Sequence, residues 1–318
     1  MKLFLAGGGG GKQEEELFET FIKVRLLSFN DWSVIGKKRT GNPGRFKYLE
    51  KIKKYKMKNN LNNLEIFLDS GAFSAWSKGI EIDIDEYIKF IKDNKDYISH
   101  YAVLDDITDP ETTKKNQLYM EGKGLHPVPC FHYGEPTEYL EYYLDKHDYI
   151  ALGGMVPIPK DRLVNWLDYL WRDYLTDKEG RAAKKIHGFG LTTLSLMLRY
   201  PWYSIDSTSW VLAGRFGSVY IPIIKNGKYD YTKIPHKIVF SDKSPKQEEK
   251  GEHYKTLSWM QQKIIKNYLD EKGYTAEELG EEYKKRDELN IVYFLDLEKE
   301  LSKKERIFEK KGNKGFSL

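Results

Sequence analysis

The sequence predicts an α/β protein of the (β/α)8 TIM-barrel type with a C-terminal helical extension. Short apolar strand candidates alternate with helix candidates over the first 220 residues, and there are eight such strands. Three of the strands close on an aspartate: Ile66-Phe67-Leu68-Asp69, Ala102-Val103-Leu104-Asp105 and Tyr203-Ser204-Ile205-Asp206. Strands that each deliver a reactive side chain at the C-terminal end are how a parallel barrel builds its mouth. The rival architecture is an open doubly wound sheet, which usually has fewer strands.

The elements follow in order. Strands are expected at 3–6, 24–29, 65–69, 100–105, 127–132, 149–153, 185–189 and 202–206. Helices are expected at 13–22, 44–58, 84–93, 110–121, 137–146, 159–175 and 192–199, with a short one at 209–214. Asp83 and Thr137 are N-cap candidates, and Pro110 and Pro159 sit where a first turn tolerates proline. Past residue 220 the pattern changes. Residues 223–253 are polar and rich in Lys, Pro and Gly, which reads as a linker or surface excursion. The span 254–318 reads as helical, with a capping box at Thr275-Ala276-Glu277-Glu278 and an apolar stripe at Leu289, Val292, Tyr293 and Leu297. The last residues, 311–318, should fray. The expected division is therefore a barrel over 1–222, a connection over 223–253 and a helical extension over 254–318.

Composition narrows the function classes. The chain has 318 residues, 23 Tyr and 7 Trp, enough apolar and aromatic content to bury a large core. No apolar run approaches the ~20 residues that span a bilayer. The start carries no secretory h-region, so the expectation is a soluble cytoplasmic protein without membrane contact. Cys130 is the sole cysteine, which excludes an internal disulfide and a cysteine-rich zinc site. The net charge of +4 does not by itself imply nucleic acid.

The strand ends supply Ser28, Asp69, Asp105, His132, Gly153-Gly154, His187 to Gly190, and Asp206. One aspartate after a strand is ordinarily a turn-former. Three at matching positions suit chemistry at a sugar carbon, where one carboxylate attacks and another moves a proton. Asp106 should turn the chain, since its side chain alternates away from that of Asp105. His132 is a satisfied core histidine or a site residue. Gly153-Gly154 is a tight turn or a bare backbone that a planar ligand can approach. The run Gly7 to Gly11 lacks the spacing of a phosphate loop, because Gln13 follows Lys12. The stretch 37–58 carries ten Lys or Arg against one Glu. It is a solvated helix face or a phosphate track, with Arg39, Arg45, Lys47, Lys51 and Lys54 the first candidates.

These runs, in this order, resemble the tRNA-guanine transglycosylase superfamily. The matching stretches are Asp69-Ser70-Gly71-Ala72-Phe73, Leu104-Asp105, Phe131-His132-Tyr133-Gly134, Leu152-Gly153-Gly154-Met155, His187-Gly188-Phe189-Gly190 and Ile205-Asp206-Ser207. The family's fold is a modified (β/α)8 barrel. Its tRNA-acting members hold a structural zinc with three cysteines and a histidine, for which this chain lacks the cysteines. The arginines that follow the family's nucleophile are Thr208-Ser209-Trp210 here, and its glutamine is His132. Those departures resemble the branch that inserts 7-deazaguanine into DNA (deoxypurine-in-DNA protein A), found in bacterial modification clusters and phages.

The resemblance implies that Asp206 attacks C1′ of a guanosine nucleotide and that Asp69 protonates the leaving base. Their carboxyls would lie about 5 Å apart, as in retaining glycosidases. It also implies that Asp105 reads the purine N1–H and 2-amino group, with His132 and the Gly154 amide on O6. Ser70 and Gly153 would complete the base pocket, and Phe73 or Met155 would stack on the ring. No cofactor or metal is implied. The partners would be DNA, a 7-deazaguanine such as a preQ0-type precursor, and proteins of the same modification clusters. A tRNA enzyme acting on RNA, a barrel glycoside or nucleoside hydrolase, and a non-catalytic relative stay open.

Overall fold

A computed structural model describes residues 1–6, 24–29, 65–191, 193–244, 251–303 and 305–309. It is a mixed α/β protein that divides into two compact units. One comprises Met1–Ala6, Lys23–Asp206 and Glu305–Leu318, the other Gly7–Ile22 and Ser207–Lys304. Among the described residues, no helix is long and apolar enough to cross a membrane.

The first unit is built on parallel strands β1 (Lys2–Leu5), β2 (Val24–Ser28), β3 (Glu65–Asp69), β4 (His100–Tyr101), β5 (Cys130–His132), β6 (Tyr149–Gly153), β7 (Lys185–Gly188) and β8 (Ser204–Ser207). Their order in the sheet is β4-β3-β2-β1-β8-β7-β6-β5. An isolated parallel bridge joins Ala102, just past β4, to Val128, just before β5. Ile66, Phe67 and Leu68 in β3 and Ile150, Ala151 and Leu152 in β6 are completely buried. Uninterrupted apolar runs of this kind mark strands covered on both faces.

The regular strands are shorter than expected at 100–105 and 127–132. Pro127 and Pro129 lack the N–H that a ladder needs, so pairing at 127–129 reduces to the single bridge at Val128.

The helices of this unit, numbered among the described residues, are α1 (Ala72–Trp76), α2 (Ile84–Asp93), α3 (Pro110–Gly122), α4 (Thr137–Lys146), α5 (Lys160–Leu170) and α6 (Leu194–Arg199). Helix α2 starts where Asp83 accepts from the amides of Asp85 and Glu86 at 2.8 and 3.0 Å. It buries Tyr87, Ile88 and Ile91, one helical face. Helix α3 begins at Pro110 with Asp109 as its cap.

Two cap assignments differ from expectation. Pro136 holds the cap position of α4 and Thr137 is its first helical residue. Pro159 is the cap of α5 rather than part of its first turn. In both, the extended ψ of the proline keeps it out of the helix, which begins at the next residue. Helix α5 runs on as a wide turn over Trp171–Leu175. Helix α1 was not legible, being five residues long.

The second unit differs from a linker followed by helices. It holds α7 (Ser209–Arg215), β9 (Ser218–Ile221), β10 (Ile223–Lys225), β11 (Lys228–Asp230) and β12 (His236–Val239). Three helices follow: α8 (Trp259–Lys272), α9 (Ala276–Glu281) and α10 (Tyr283–Leu301). β10 and β11 form a hairpin across Asn226-Gly227, both at left-handed φ (51° and 69°), the pairing that matches strand twist. β9 pairs antiparallel with β12. The core includes Val219, Ile221, Ile238, Phe240, Tyr268, Leu269, Leu279 and Leu289. Both halves of the capping box at Thr275 and Glu278 are made.

The unit boundary thus falls after Asp206, not after 222, because α7 and β9 share their burial with α10. Arg286 donates to the Gly214 carbonyl, and Asn290 donates to Trp210 and Ser218 carbonyls. Residues 305–309 belong with the first unit instead: the Phe308 amide donates to the Gly180 carbonyl, and Arg306 donates to the Met197 and Leu198 carbonyls.

Candidate active site

The C-terminal ends of β3 and β8 and the segment just past β4 carry three carboxylates. Their closeness shows in their electrostatics. Burial, and then the charges of Asp105 and Asp206, raise the Asp69 carboxyl from 3.8 to about 7 against hydrogen bonds from the Gly71 amide and Ser28. Asp69 sits opposite Ser28 in the β2–β3 register. Asp105 shifts the other way. Burial pushes it up, but hydrogen bonds from His132 and Ser70 and the imidazole's charge outweigh that, and it stays below its usual value. Two carboxylates of one type are thereby driven to opposite protonation states, the division that acid–base chemistry needs.

Asp105 is held on both oxygens. Ser70 Oγ donates to Oδ1 at 2.7 Å, and His132 Nε2 lies 2.9 Å from Oδ2. Ser70, completely buried, also accepts the Ala72 amide at 3.2 Å. Its place is therefore behind Asp105. The backbone carrying Asp105 is fixed from α3, where Asn116 Nδ2 donates to the Leu104 carbonyl at 2.8 Å. Asp106 turns the chain as expected, its Oδ1 accepting from the Thr108 and Asp109 amides.

His132 is clamped between two carboxylates. Nδ1 lies 2.9 Å from Glu135 Oε1, and Glu135 Oε2 accepts the His132 amide at 2.9 Å. The turn that returns Glu135 to His132 closes with the Glu135 amide on the His132 carbonyl and uses Gly134 at φ +84°. Burial alone would lower the imidazole pKa. The Asp105 and Glu135 carboxylates, each 2.9 Å from a ring nitrogen, lift it above its ordinary value, and both nitrogens donate. The expected role of His132 as a donor to O6 is at odds with this commitment. Glu135 was missed in the sequence, although a strand-terminal His followed three residues later by Glu across a glycine is a readable pattern.

Gly153 and Gly154 have structural reasons of their own. A Cβ on Gly153 would stand 2.7 Å from Cys130 Sγ and 2.8 Å from His132 Cδ2. Gly154 sits at φ +66°. Met155 is buried at 3 % exposure, whereas Phe73 on α1 is 45 % exposed, its ring 6.1 Å from that of Trp76. A cavity of about 710 Å³ opens beside Asp105, lined among others by Trp76, Ile80, Asp106, Thr112 and Asn116. Arg39, Arg45, Lys47, Lys51 and Lys54 lie outside the described residues, as does the glycine run at 7–11.

Asp206 is nearly buried at 5 % exposure. Its Oδ1 accepts the Gly190 amide at 2.8 Å, with Gly190 at φ +62°. Asp105, Cys130 and His132 bring one ligand atom each within 4.8 Å of one another, a set that a metal ion could use. They fit one poorly. Burial raises the Cys130 thiol to about 11, and Nε2 of the imidazolium is protonated toward Asp105, so an ion must displace two protons and an ion pair.

No protein-family model matches the chain. A comparison with curated proteins likewise finds no match.

Proposed function

We propose that the first unit is a closed (β/α)8 barrel and that its mouth exchanges guanine for a 7-deazaguanine base in DNA, through a covalent aspartyl-glycosyl intermediate. Closure is supported by the bridge from Ala102 to Val128 between the two end strands. It is also supported by the Phe67 and Tyr149 rings, whose centroids are 6.1 Å apart. Those rings stand on β3 and β6. In a flat sheet of this order their strands would be separated by roughly 24 Å, at about 4.8 Å per step.

The observation that carries the reaction is the opposed titration of Asp69 and Asp105 around Asp206. Asp206 attacks C1′ of the nucleotide, the C1′–N9 bond breaks, and Asp69 delivers its proton to the departing guanine. The Asp69 carboxylate then accepts the N9 proton of the incoming base, whose nitrogen attacks C1′ and frees Asp206. Asp105 accepts from the purine N1–H and 2-amino group with the lone pairs that Ser70 and His132 leave over. His132 acts on Asp105 rather than on O6, and Glu135 holds His132. The nucleotide must leave the duplex, at a cost of a few kcal/mol. The basic stretch around Lys51 and Lys54 grips phosphates.

The test is covalent trapping of an oligodeoxynucleotide on a denaturing gel with the wild-type protein and Asp206→Ala. The wild type should trap and incorporate 7-cyano-7-deazaguanine, and the folded variant should do neither. Normal trapping by the variant removes Asp206 as nucleophile. Release of guanine to water without base incorporation makes the protein a hydrolase.

A further inference from the structure

Behind Asp206 lies a buried polar chain that the reaction scheme above does not use. His187, the third residue of β7, is completely buried. Its ring packs against Phe4, Phe67 and Phe189, with centroids 6.0, 4.6 and 4.5 Å away. Nδ1 lies 2.7 Å from Ser204 Oγ, and Ser204 Oγ lies 2.5 Å from the Tyr149 hydroxyl. Nε2 faces Asp206 Oδ1 at 3.4 Å and has no other polar partner among the described residues.

The chain has two possible directions. With the ring proton on Nδ1, His187 donates to Ser204, and the bare Nε2 lone pair faces a carboxylate oxygen in a dry site, which is repulsive. With the proton on Nε2, the Tyr149 O–H donates to Ser204, the Ser204 O–H donates to Nδ1, and Nε2–H points at Asp206 Oδ1. Only the second direction turns an N–H rather than a lone pair toward Asp206 across the 3.4 Å gap. Burial supports a neutral ring, since it lowers the imidazole pKa more than Asp206 raises it.

We propose that Tyr149, Ser204 and His187 form a directed hydrogen-bond chain that holds His187 as its Nε2–H tautomer and anchors Asp206 Oδ1, leaving Oδ2 as the oxygen that attacks. His187 is thus a positioning residue for the nucleophile, a role that rests on the reading of Asp206 given above. Oδ1 accepts from the Gly190 N–H and is faced at 3.4 Å by His187 Nε2. When Oδ2 bonds to C1′, Oδ1 becomes an ester carbonyl and accepts more weakly. When the incoming base displaces the sugar, the carboxylate returns and both contacts strengthen, so the chain also favours the second step.

Two measurements on the full-length protein test this. In ¹⁵N-histidine NMR spectra, with the signal assigned by its loss in His187→Gln, His187 should be neutral and protonated on Nε2. An Nδ1–H tautomer or an imidazolium overturns the chain whatever the protein catalyses. Single-turnover trapping of an oligodeoxynucleotide, with 7-cyano-7-deazaguanine as acceptor, reads the consequence. His187→Leu should slow trapping by roughly 10²-fold, the scale of loss when a reacting group is left out of line. His187→Gln, which retains an N–H at the end of the side chain, should recover most of that rate, and Ser204→Ala should fall between them. Nucleic-acid affinity should change less than twofold in all three. An unchanged rate in His187→Leu, or affinity falling in step with rate, overturns the positioning role. If His187→Leu fails to fold, an unchanged rate in Ser204→Ala does so instead. A wild-type protein that traps nothing refutes the reading of the site, while the NMR spectrum still decides the chain.

Discussion

At the scale of single residues, two buried groups hold protons in the fold that their free side chains would lose. The Asp69 carboxyl titrates near 7 in the folded protein against 3.8 as a free side chain. The folded state therefore binds the extra proton, and the stability this gives is full below 3.8 and lost as pH climbs through about 7. Asp69→Asn removes that loss. We expect the variant's stability relative to the wild type to rise between pH 5 and pH 8, by on the order of 1–3 kcal/mol in denaturant titrations. A gap that does not grow with pH would mean that Asp69 is already ionised at pH 5. His132 has the same sign in a higher window. Its raised pKa contributes stability that is full below the ordinary value of 6.5 and declines as pH rises toward the elevated folded value. Glu135→Gln should therefore destabilise the protein by about 1–3 kcal/mol, equally at pH 6 and pH 8, in denaturant titrations. A penalty confined to pH 6 would show that the ring is neutral at pH 8.

At the scale of elements, the site depends on how strand ends turn. β5 ends at His132, and the Gly134 turn brings Glu135 back onto it. β6 runs alongside, paired His132 to Gly153, so residue 153 must lack a side chain for the Cys130 and His132 side chains to fit. Gly153→Ala should cost about 1–3 kcal/mol by overpacking, read as a lower melting temperature with native secondary structure by circular dichroism. A neutral effect would show that His132 moves aside freely. Strand periodicity and helix caps such as Asp83 and Thr275 were legible in the sequence, since each rests on a few neighbouring residues. The hairpin at Asn226-Gly227 was legible too, but the surrounding lysines made the segment read as a linker.

At the scale of the whole molecule, DNA-length substrates demand more than a mouth. The net charge of +4 is small, yet ten cations sit within 37–58. If that stretch binds phosphates, charge reversal at Lys51 and Lys54 should weaken binding of all sequences about equally. It should also flatten the log-affinity against log-salt slope by roughly 0.7–0.9 per lost contact. An unchanged slope in filter binding at several salt concentrations would assign the stretch to a solvated face. Binding would then have to come from elsewhere, for instance from the lysines at 243–255.

The sequence by itself determined the α/β alternation of the first unit, the positions of its eight strands and of most of its helices, and the three aspartates at 69, 105 and 206. Those features follow from local patterns: apolar runs, caps, and the place where a strand stops. Only the tertiary structure decided how each carboxylate is charged. Asp69 keeps its proton up to about 7 because burial and two other charges converge on it. Asp105 is a charged acceptor because His132 and Ser70 reach it from other parts of the chain. The pairing of His187 with Ser204 and Asp206 likewise spans 17 and 19 residues, as their numbering shows. Proximity and burial set these properties, and neither is written in the spacing of residues along one strand.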